Sequence, residues 1–149
     1  MFKLYVAIIS IYIKMNRVNF TSKKFENSAF NDRKDFTTAR NLHSIGDYAR
    51  ALFFYNAATS GRNKSIPVFD AKNIADCFIY LGDESVIHQQ YDTAARNYML
   101  GIDYIYHSIR ALNFWDSNRK VLNKYLDKYP ESCFKLLSLF IRYLLQFIT

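Results

Sequence analysis

The chain has 149 residues and a formal net charge of +7, with 50% of its residues apolar and 22% charged. This balance excludes a largely disordered chain, and four glycines with two prolines are too few for the turns of an all-β fold. The two cysteines, Cys77 and Cys133, exclude a disulfide framework and a cysteine-rich zinc site. Positive charge gathers at the ends: residues 1–34 hold seven lysines and arginines against two acidic residues, and residues 111–149 hold six against three.

The N-terminal segment places Lys3 before ten mostly apolar residues, Leu4–Ile13, which are followed by Lys14. A charged start and an apolar run resemble a secretory signal, although no small-residue cleavage pattern follows them. The run is too short to cross a bilayer, which takes about 20 residues. Three interpretations remain open: a signal or membrane anchor, an extension upstream of a second start at Met15, and a strand or segment that docks on the folded core.

A polar, basic arm follows, and residues 1–31 as a whole are predicted to precede the helical array. Its cations could bind phosphates, with Phe20 and Phe25 near bases, or an acidic protein surface. The cations assigned to this arm are Arg17, Lys23, Lys24 and Lys34.

The first two helices are predicted from apolar spacing and turn residues. An apolar residue at every third position predicts a helix over Arg33–Ile45. Gly46 ends this helix and Asp47 caps a second one over Tyr48–Thr59, which has one apolar face. A polar loop over residues 60–67 follows.

The third and fourth helices are predicted from the same signals. Asp70 caps a helix over Ala71–Leu81, and the pair Gly82-Asp83 is predicted to end it as Gly46-Asp47 ends the first helix. A long fourth helix is expected from about Ser85 to Phe114. It contains Gly101, which costs a helix about 1 kcal/mol relative to alanine and therefore indicates close packing.

The C-terminal part predicts two more helices. Asp116 or Ser117 opens the first of them, and Pro130 is predicted to end it. Ser132 then caps a last helix over Cys133–Thr149, whose polar residues form one narrow stripe. A helix this apolar must be covered, so it is expected to cap the core, with self-association and a membrane surface as alternatives.

The two helix pairs share a spacing of small and aromatic residues. This spacing is carried by Ala39, Leu42, Gly46, Tyr48, Ala51, Tyr55 and Ala58 in the first pair, and by Ala75, Phe78, Gly82, Tyr91, Ala94, Tyr98 and Gly101 in the second. The pattern resembles the tetratricopeptide repeat (TPR), a helix–turn–helix unit of about 34 residues. The second pair has seven additional residues, 84–90, which are about two helical turns and can lengthen a helix without rotating its face.

The resemblance implies an all-α fold in which antiparallel helical hairpins stack as a short, right-handed, TPR-like superhelix. The array would cover residues 32–130, and residues 131–149 would form the apolar capping helix. In this family, the first helix of each pair lines a concave groove that binds a peptide or protein. The residues that the resemblance places in this groove are Arg33, Phe36, Arg40, His43, Lys72, Asn73, Asp76 and Tyr80.

The identity of the groove residues bears on the expected partner. Family members that bind the acidic C-terminal tails of heat-shock chaperones use a lysine and asparagines in the groove. Asn73 matches one of those positions, whereas Phe36 replaces the lysine and Arg40 replaces an asparagine. The resemblance therefore implies a mixed basic and aromatic groove, which suits a different, extended acidic peptide.

No motif in the chain indicates catalysis, a metal or a cofactor. The three histidines are scattered, a phosphate-binding loop is missing, and capping explains the acidic pair Asp83-Glu84. The sequence therefore predicts a non-catalytic, cytoplasmic adaptor or scaffold that binds a protein or peptide and takes no small-molecule substrate. A nucleic-acid-associated protein that uses the basic arm, and a membrane-peripheral adaptor, are the alternatives.

Overall fold

Six α-helices and no strands make up the described residues, 33–59, 66–109 and 114–146, of a computed structural model. The helices are α1 (Arg33–Ser44), α2 (Tyr48–Thr59), α3 (Val68–Ile87), α4 (Tyr91–Ile109), α5 (Phe114–Leu126) and α6 (Pro130–Gln146). The predicted all-α class is confirmed. The apolar run, the arm residues Arg17, Lys23 and Lys24, and most of the loop after α2 lie outside the described residues.

The hairpin of α1 and α2 confirms the predicted turn. Gly46 has a φ of +82°, a left-handed conformation that glycine adopts without steric cost. The amide of Asp47 donates to the carbonyl of Leu42 at 2.9 Å, which closes the end of α1. The Asp47 carboxylate then accepts from the amide of Arg50 at 3.4 Å, as a residue before a helix does.

The third helix is longer than predicted, because α3 continues through Gly82 and Asp83 to Ile87. The turn to α4 comes at residues 88–90, where Gln89 takes a φ of +58°. Gly82 serves packing instead of termination: a Cβ placed on it would lie 2.5 Å from Cε1 of the Tyr98 ring. The prediction that Gly82-Asp83 ends the helix is therefore wrong, because a ring from α4 occupies the space that the glycine leaves.

Gly101 of α4 lies against residues of both α3 and α6. A Cβ on Gly101 would lie 3.1 Å from Cβ of Phe78 and would overlap Cδ1 of Ile141. The predicted packing role of this glycine is confirmed.

The connection from α5 to α6 corrects the role predicted for Pro130. α5 ends at Leu126, and Pro130 is the first residue of α6. Proline suits this position because the first helical turn does not use its amide. The amide of Cys133 donates to the carbonyl of Tyr129 at 3.0 Å, so the cap lies before Pro130 and not at Ser132.

The last helix, α6, is part of the core. Tyr91 of α4 stacks on Phe134 of α6 with ring centroids 4.8 Å apart, and Gly101 further along α4 meets Ile141 further along α6. The two helices therefore run parallel. The buried face of α6 comprises Cys133, Leu137, Ile141 and Leu144.

Helix α3 joins two groups of buried side chains. The first group comes from α1, α2 and one side of α3, and it surrounds Tyr55 and Ile74. The second comes from α4, α5 and α6 and surrounds Tyr98 and Trp115, with Ala75 of α3 included. Because α3 contributes to both groups, its remaining side is the one that neither core covers.

Candidate partner-binding face

Helices α1 and α3 lie side by side and run parallel. Arg40 of α1 pairs with Asp70 of α3, and one turn later His43 pairs with Asp76. The predicted groove residues therefore do come from two neighbouring helices. The side chain of Arg33 lies outside the described residues, and Lys34 is exposed in the first turn of α1.

Asp70 is a fully buried carboxylate that holds α1 and α2 against α3. Arg40 Nε donates to Oδ1 of Asp70 at 2.8 Å, and an Arg40 terminal nitrogen donates to Oδ2 at 2.7 Å. The Tyr55 hydroxyl donates to the same Oδ1 at 3.2 Å and accepts from Nδ2 of Asn73 at 3.0 Å. A bidentate arginine–carboxylate pair of this kind is a strong, directional interaction, and it offsets the free-energy cost of burying the charge.

The network perturbs two of its members. The hydrogen bond to Asp70 raises the pKa of Arg40, and burial is the main cause that raises the pKa of Tyr55. Both groups therefore keep their protons at neutral pH. The network is a structural element with fixed charges, and it does not supply a group that exchanges protons near pH 7.

Two of the predicted groove residues are corrected by their burial. Phe36 is 3% exposed and packs edge-on against Tyr55, with ring centroids 6.2 Å apart. Asn73 is 6% exposed and belongs to the buried network. Neither can reach a partner in this arrangement. Arg40 is 44% exposed, but its guanidinium is held by Asp70, so the cation expected to bind an acidic peptide already has a carboxylate.

The part of the α1–α3 surface that reaches solvent is an aromatic cluster. The His43 ring lies edge-on to Tyr48 at 5.5 Å, and Tyr48 packs against Tyr80 at 4.8 Å between centroids. His43 Nε2 is 3.2 Å from Oδ2 of Asp76, which fixes the imidazole beside the rings. Tyr80 is 48% exposed, so the cluster presents one aromatic side chain to solvent.

Tyr80 belongs to a line of exposed apolar residues along α3. Phe69 is 62% exposed and Ile87 is 78% exposed. With about 100° of rotation per residue, Tyr80 and Ile87 lie within about 20° of Phe69, and the line is about 27 Å long. Half-buried Lys72 and Asp76 lie beside it. We call this surface, which comprises Phe69, Lys72, Asp76, Tyr80 and Ile87, the α3 face.

The sequence prediction did not include Phe69 and Ile87. The predicted third helix covers only Ala71–Leu81, so Phe69, Tyr80 and Ile87 fall in three different predicted segments. The spacing of 11 and 7 residues becomes visible only when α3 is continuous over Val68–Ile87. Spacing on a helix is the signal, and it is hidden when Asp70 is taken as the cap of this helix and Gly82-Asp83 as its end; Asp70 lies inside the first turn of α3.

The other polar clusters join helices to each other. Asp83 of α3 accepts from Tyr98 at 2.5 Å and from Arg142 of α6 at 2.6 and 2.7 Å. Burial and the Asp83 carboxylate raise the pKa of Tyr98 to about 12. Asp103 of α4 likewise accepts from Trp115 Nε1 at 2.6 Å and from Arg119 Nε at 2.8 Å. Each carboxylate is satisfied by its neighbours, so these clusters secure helix packing.

The described residues offer no metal site. No group of three or more histidine, cysteine or acidic side chains among them could hold an ion. Both cysteines are buried free thiols, and burial raises the pKa of Cys77 to about 12 and that of Cys133 to about 11. Such thiols are poor nucleophiles at neutral pH. Within the part of the chain that the structure describes, no helix has the length and hydropathy needed to cross a membrane.

Comparison with known proteins adds no relative. The chain matches no family model, no curated protein and no solved structure. The fold and the face define an all-α protein built from packed helices, with a line of exposed apolar side chains on α3.

Proposed function

We propose that the protein is a non-catalytic, TPR-like adaptor or scaffold that binds a protein or peptide partner on the α3 face. The line of Phe69, Tyr80 and Ile87 carries the proposal, because it leaves three large apolar side chains exposed along one side of a helix. Exposed apolar side chains grouped on one side of an element, with polar residues beside them, are found at interaction sites. Aromatic residues such as Phe69 and Tyr80 contribute large contact area in such sites.

The charges beside the line favour a partner with apolar anchors over a strongly acidic tail. Arg40 is paired with Asp70, and His43 is beside Asp76. Lys72 and Asp76 therefore add one cation and one anion to the face. A segment that places two or three apolar side chains along about 27 Å, with mixed charges between them, fits this surface best.

The TPR-like arrangement is part of the same proposal. Two features support it: α1–α2 and α3–α4 form successive hairpins, and α1 and α3 run parallel, as the first helices of neighbouring repeats do. In this view, α6 caps the array. We further propose that the protein is cytoplasmic, where buried free thiols such as Cys77 and Cys133 are usual.

The test compares variants at exposed aromatic residues on and off the α3 face. The double variant Phe69→Ser/Tyr80→Ser changes the face, and Phe53→Ser is its control, since Phe53 is 68% exposed on α2. Proteins captured from the native source by the wild-type chain are identified, purified and titrated against all three chains. Circular dichroism and thermal unfolding first establish that the variants fold alike.

The account predicts that the double variant binds at least about tenfold more weakly than the wild type, because each lost apolar anchor is worth about 1.5–3 kcal/mol. Phe53→Ser should bind as the wild type does. Equal affinity for all three chains, or an equal loss in Phe53→Ser, would remove the α3 face as the binding site.

A further inference from the structure

Arginines and lysines differ in their surroundings. Each arginine whose side chain the structure describes pairs with an aspartate at 2.6–3.4 Å, and these pairs are Arg40–Asp70, Arg50–Asp47, Arg96–Asp127, Arg119–Asp103 and Arg142–Asp83. By contrast, no carboxylate in the described part of the chain forms an ion pair with Lys120, Lys124 or Lys128. The arginine charges are therefore used within the fold, and these three lysine charges are available to a partner.

These three lysines form a line on the outer side of α5. Lys120, Lys124 and Lys128 are all exposed, and they follow one another every four residues, which is about 6 Å along a helix and about 40° around it. The amide of Tyr129 donates to the carbonyl of Tyr125 at 2.8 Å, so helical hydrogen bonding continues beyond the end of α5 and includes Lys128. We call these three lysines the α5 stripe.

The α5 stripe faces away from the core. Leu122 and Leu126 are buried, and they lie about 200° and 240° around the helix from Lys120. Lys124 lies at about 40°, directly opposite the middle of that buried side. The stripe is therefore the part of α5 that lies furthest from the core.

The carboxylates close to the α5 stripe do not neutralise it. Asp127 lies within the span of the stripe, but it accepts from Arg96 at 3.1 Å. Asp116 is exposed in the first turn of α5, where a negative charge stabilises the positive end of the helix dipole. The negative end of the dipole accounts for Lys124 in the last turn, but not for Lys120 one turn earlier. The stripe therefore keeps a net positive charge that the fold does not require.

The composition of this surface favours the phosphate backbone of a nucleic acid as its partner. A helix that binds an anionic membrane inserts an apolar face between the lipids, whereas the apolar face of α5, with Trp115 and Leu122, is buried in the core. Among the described residues, none of the large exposed apolar side chains lies on α5. One strand of a duplex carries a phosphate about every 3.4 Å, so a stripe about 12 Å long spans about three phosphates. Ser117 and Asn123 are also exposed on α5 and can donate hydrogen bonds to the same backbone.

We propose that the α5 stripe binds the phosphate backbone of a nucleic acid without reading its base sequence. Each lysine ammonium contacts a phosphate and releases the counterions condensed on it, which makes the binding depend steeply on salt. Contacts to phosphates position a protein on the strand, whereas sequence is read in the grooves. The stripe shares no residue with the α3 face, so this binding is independent of the proposed function above.

Fluorescence anisotropy of a labelled DNA duplex of about 20 base pairs, titrated with the full chain at several salt concentrations, measures this binding. The main variant is Lys120→Gln/Lys124→Gln/Lys128→Gln, which removes the charges and keeps helix-forming side chains. Circular dichroism and thermal unfolding first establish that every variant folds as the wild type does. Phosphatidylserine vesicles and poly-glutamate are then titrated in the same way, as probes for an anionic membrane and an acidic protein.

A matched pair of single variants controls for net charge. Lys124→Gln and Lys135→Gln each remove one exposed lysine, the first from the α5 stripe and the second from α6. Lys135 lies about 140° around α6 from Phe140, which stacks on Trp115 of α5, so Lys135 points away from α5. A third variant, Lys124→Arg, keeps the charge in the stripe.

The triple variant should reduce the slope of log affinity against log salt concentration by about 2.7, which is about 0.9 for each lost phosphate contact. At about 0.1 M salt, Lys124→Gln should weaken duplex binding by about fivefold to tenfold, whereas Lys135→Gln and Lys124→Arg should stay within about twofold of the wild type. Equal losses in Lys124→Gln and Lys135→Gln, wild-type affinity in the triple variant, or no duplex binding by the wild type would overturn the proposal. So would a loss in the triple variant that is confined to the vesicles or to poly-glutamate.

Discussion

Gly46 and Gly82 are both followed by aspartate, yet substitutions should separate them. Gly46 has a φ of +82°, and no atom lies within 4 Å of a Cβ placed on it. A side chain at Gly46 is therefore disfavoured only by the left-handed backbone conformation. Gly46→Ala should lower the free energy of unfolding by about 1–2 kcal/mol, and Gly46→Asn by less, because asparagine tolerates this conformation.

Gly82 packs against the Tyr98 ring, whose position is fixed by its own contacts. A Cβ would lie 2.5 Å from Cε1 of Tyr98, whose hydroxyl is held by Asp83 at 2.5 Å, while the Arg142 guanidinium lies 5.9 Å from the ring centroid. Overpacking costs about 1–3 kcal/mol, and loss of a hydrogen bond to a charged group costs about 1.5–3 kcal/mol. The higher helix propensity of alanine offsets about 1 kcal/mol of this loss. Gly82→Ala should therefore lower the free energy of unfolding by about 3 kcal/mol.

Urea unfolding followed by circular dichroism measures these differences. The chains compared are the wild type and the alanine and asparagine variants at Gly46 and Gly82. A double-mutant cycle with Tyr98→Ala supplies the control, because removing the ring should make Gly82→Ala nearly harmless. If Gly82→Ala is as stable as the wild type, or if asparagine is tolerated better at Gly82 than at Gly46, the packing assigned to Gly82 is refuted.

Three other predictions concern the buried polar and ionisable groups. Arg40→Met leaves the buried Asp70 carboxylate without its cation and should lower the free energy of unfolding in urea by about 3 kcal/mol, and adding Asp70→Asn should recover part of that loss. Cys77 and Cys133 should react with a thiol reagent at neutral pH far more slowly in the native chain than in urea; equal rates would contradict their burial. The free energy of unfolding should fall between pH 10 and pH 12, because Tyr98 has a pKa of about 12 in the folded chain and near 10 in the unfolded chain. Tyr98→Phe should reduce the slope of the unfolding free energy against pH by about 1.4 kcal/mol per pH unit.

The hairpin of α1 and α2 could be predicted from the sequence because its signals are local. Gly46 supplies the left-handed residue and Asp47 caps the next helix, and both effects act within a few residues. The observed bounds of α2 equal the predicted ones. The apolar character of the last helix likewise predicts its place against the core, although Pro130, and not Ser132, opens that helix and Leu139 is exposed.

The end of α3 could not be predicted because distant residues determine it. Gly82-Asp83 looks like Gly46-Asp47, but the Tyr98 ring fills the space beside Gly82, and Asp83 pairs with Arg142, 59 positions away. The helix therefore continues through the pair. Local patterns cannot distinguish a glycine that ends a helix from one that admits a neighbour's ring.

The candidate face could be predicted only in part, because contacts between distant parts of the chain decide which of its residues are exposed. The resemblance places the groove on the helices that correspond to α1 and α3, and it includes Tyr80, which is exposed. It also assigned Phe36 and Asn73 to the groove, whereas contacts with Tyr55 bury both. The pairing of Arg40 with Asp70 joins residues 30 positions apart and depends on how the two hairpins pack.

Continuity of α3 is the basis of the proposed binding face. The most direct test is a distance measurement by electron paramagnetic resonance between spin labels at Phe69→Cys and Ile87→Cys. Both sites are exposed, and the native cysteines are buried and have raised pKa values, so labelling is selective. The account predicts one narrow distribution near 27 Å, apart from the label linkers, since 18 residues of helix rise about 1.5 Å each. A much shorter or broad distribution would mean that α3 breaks at Gly82 and that the α3 face does not exist.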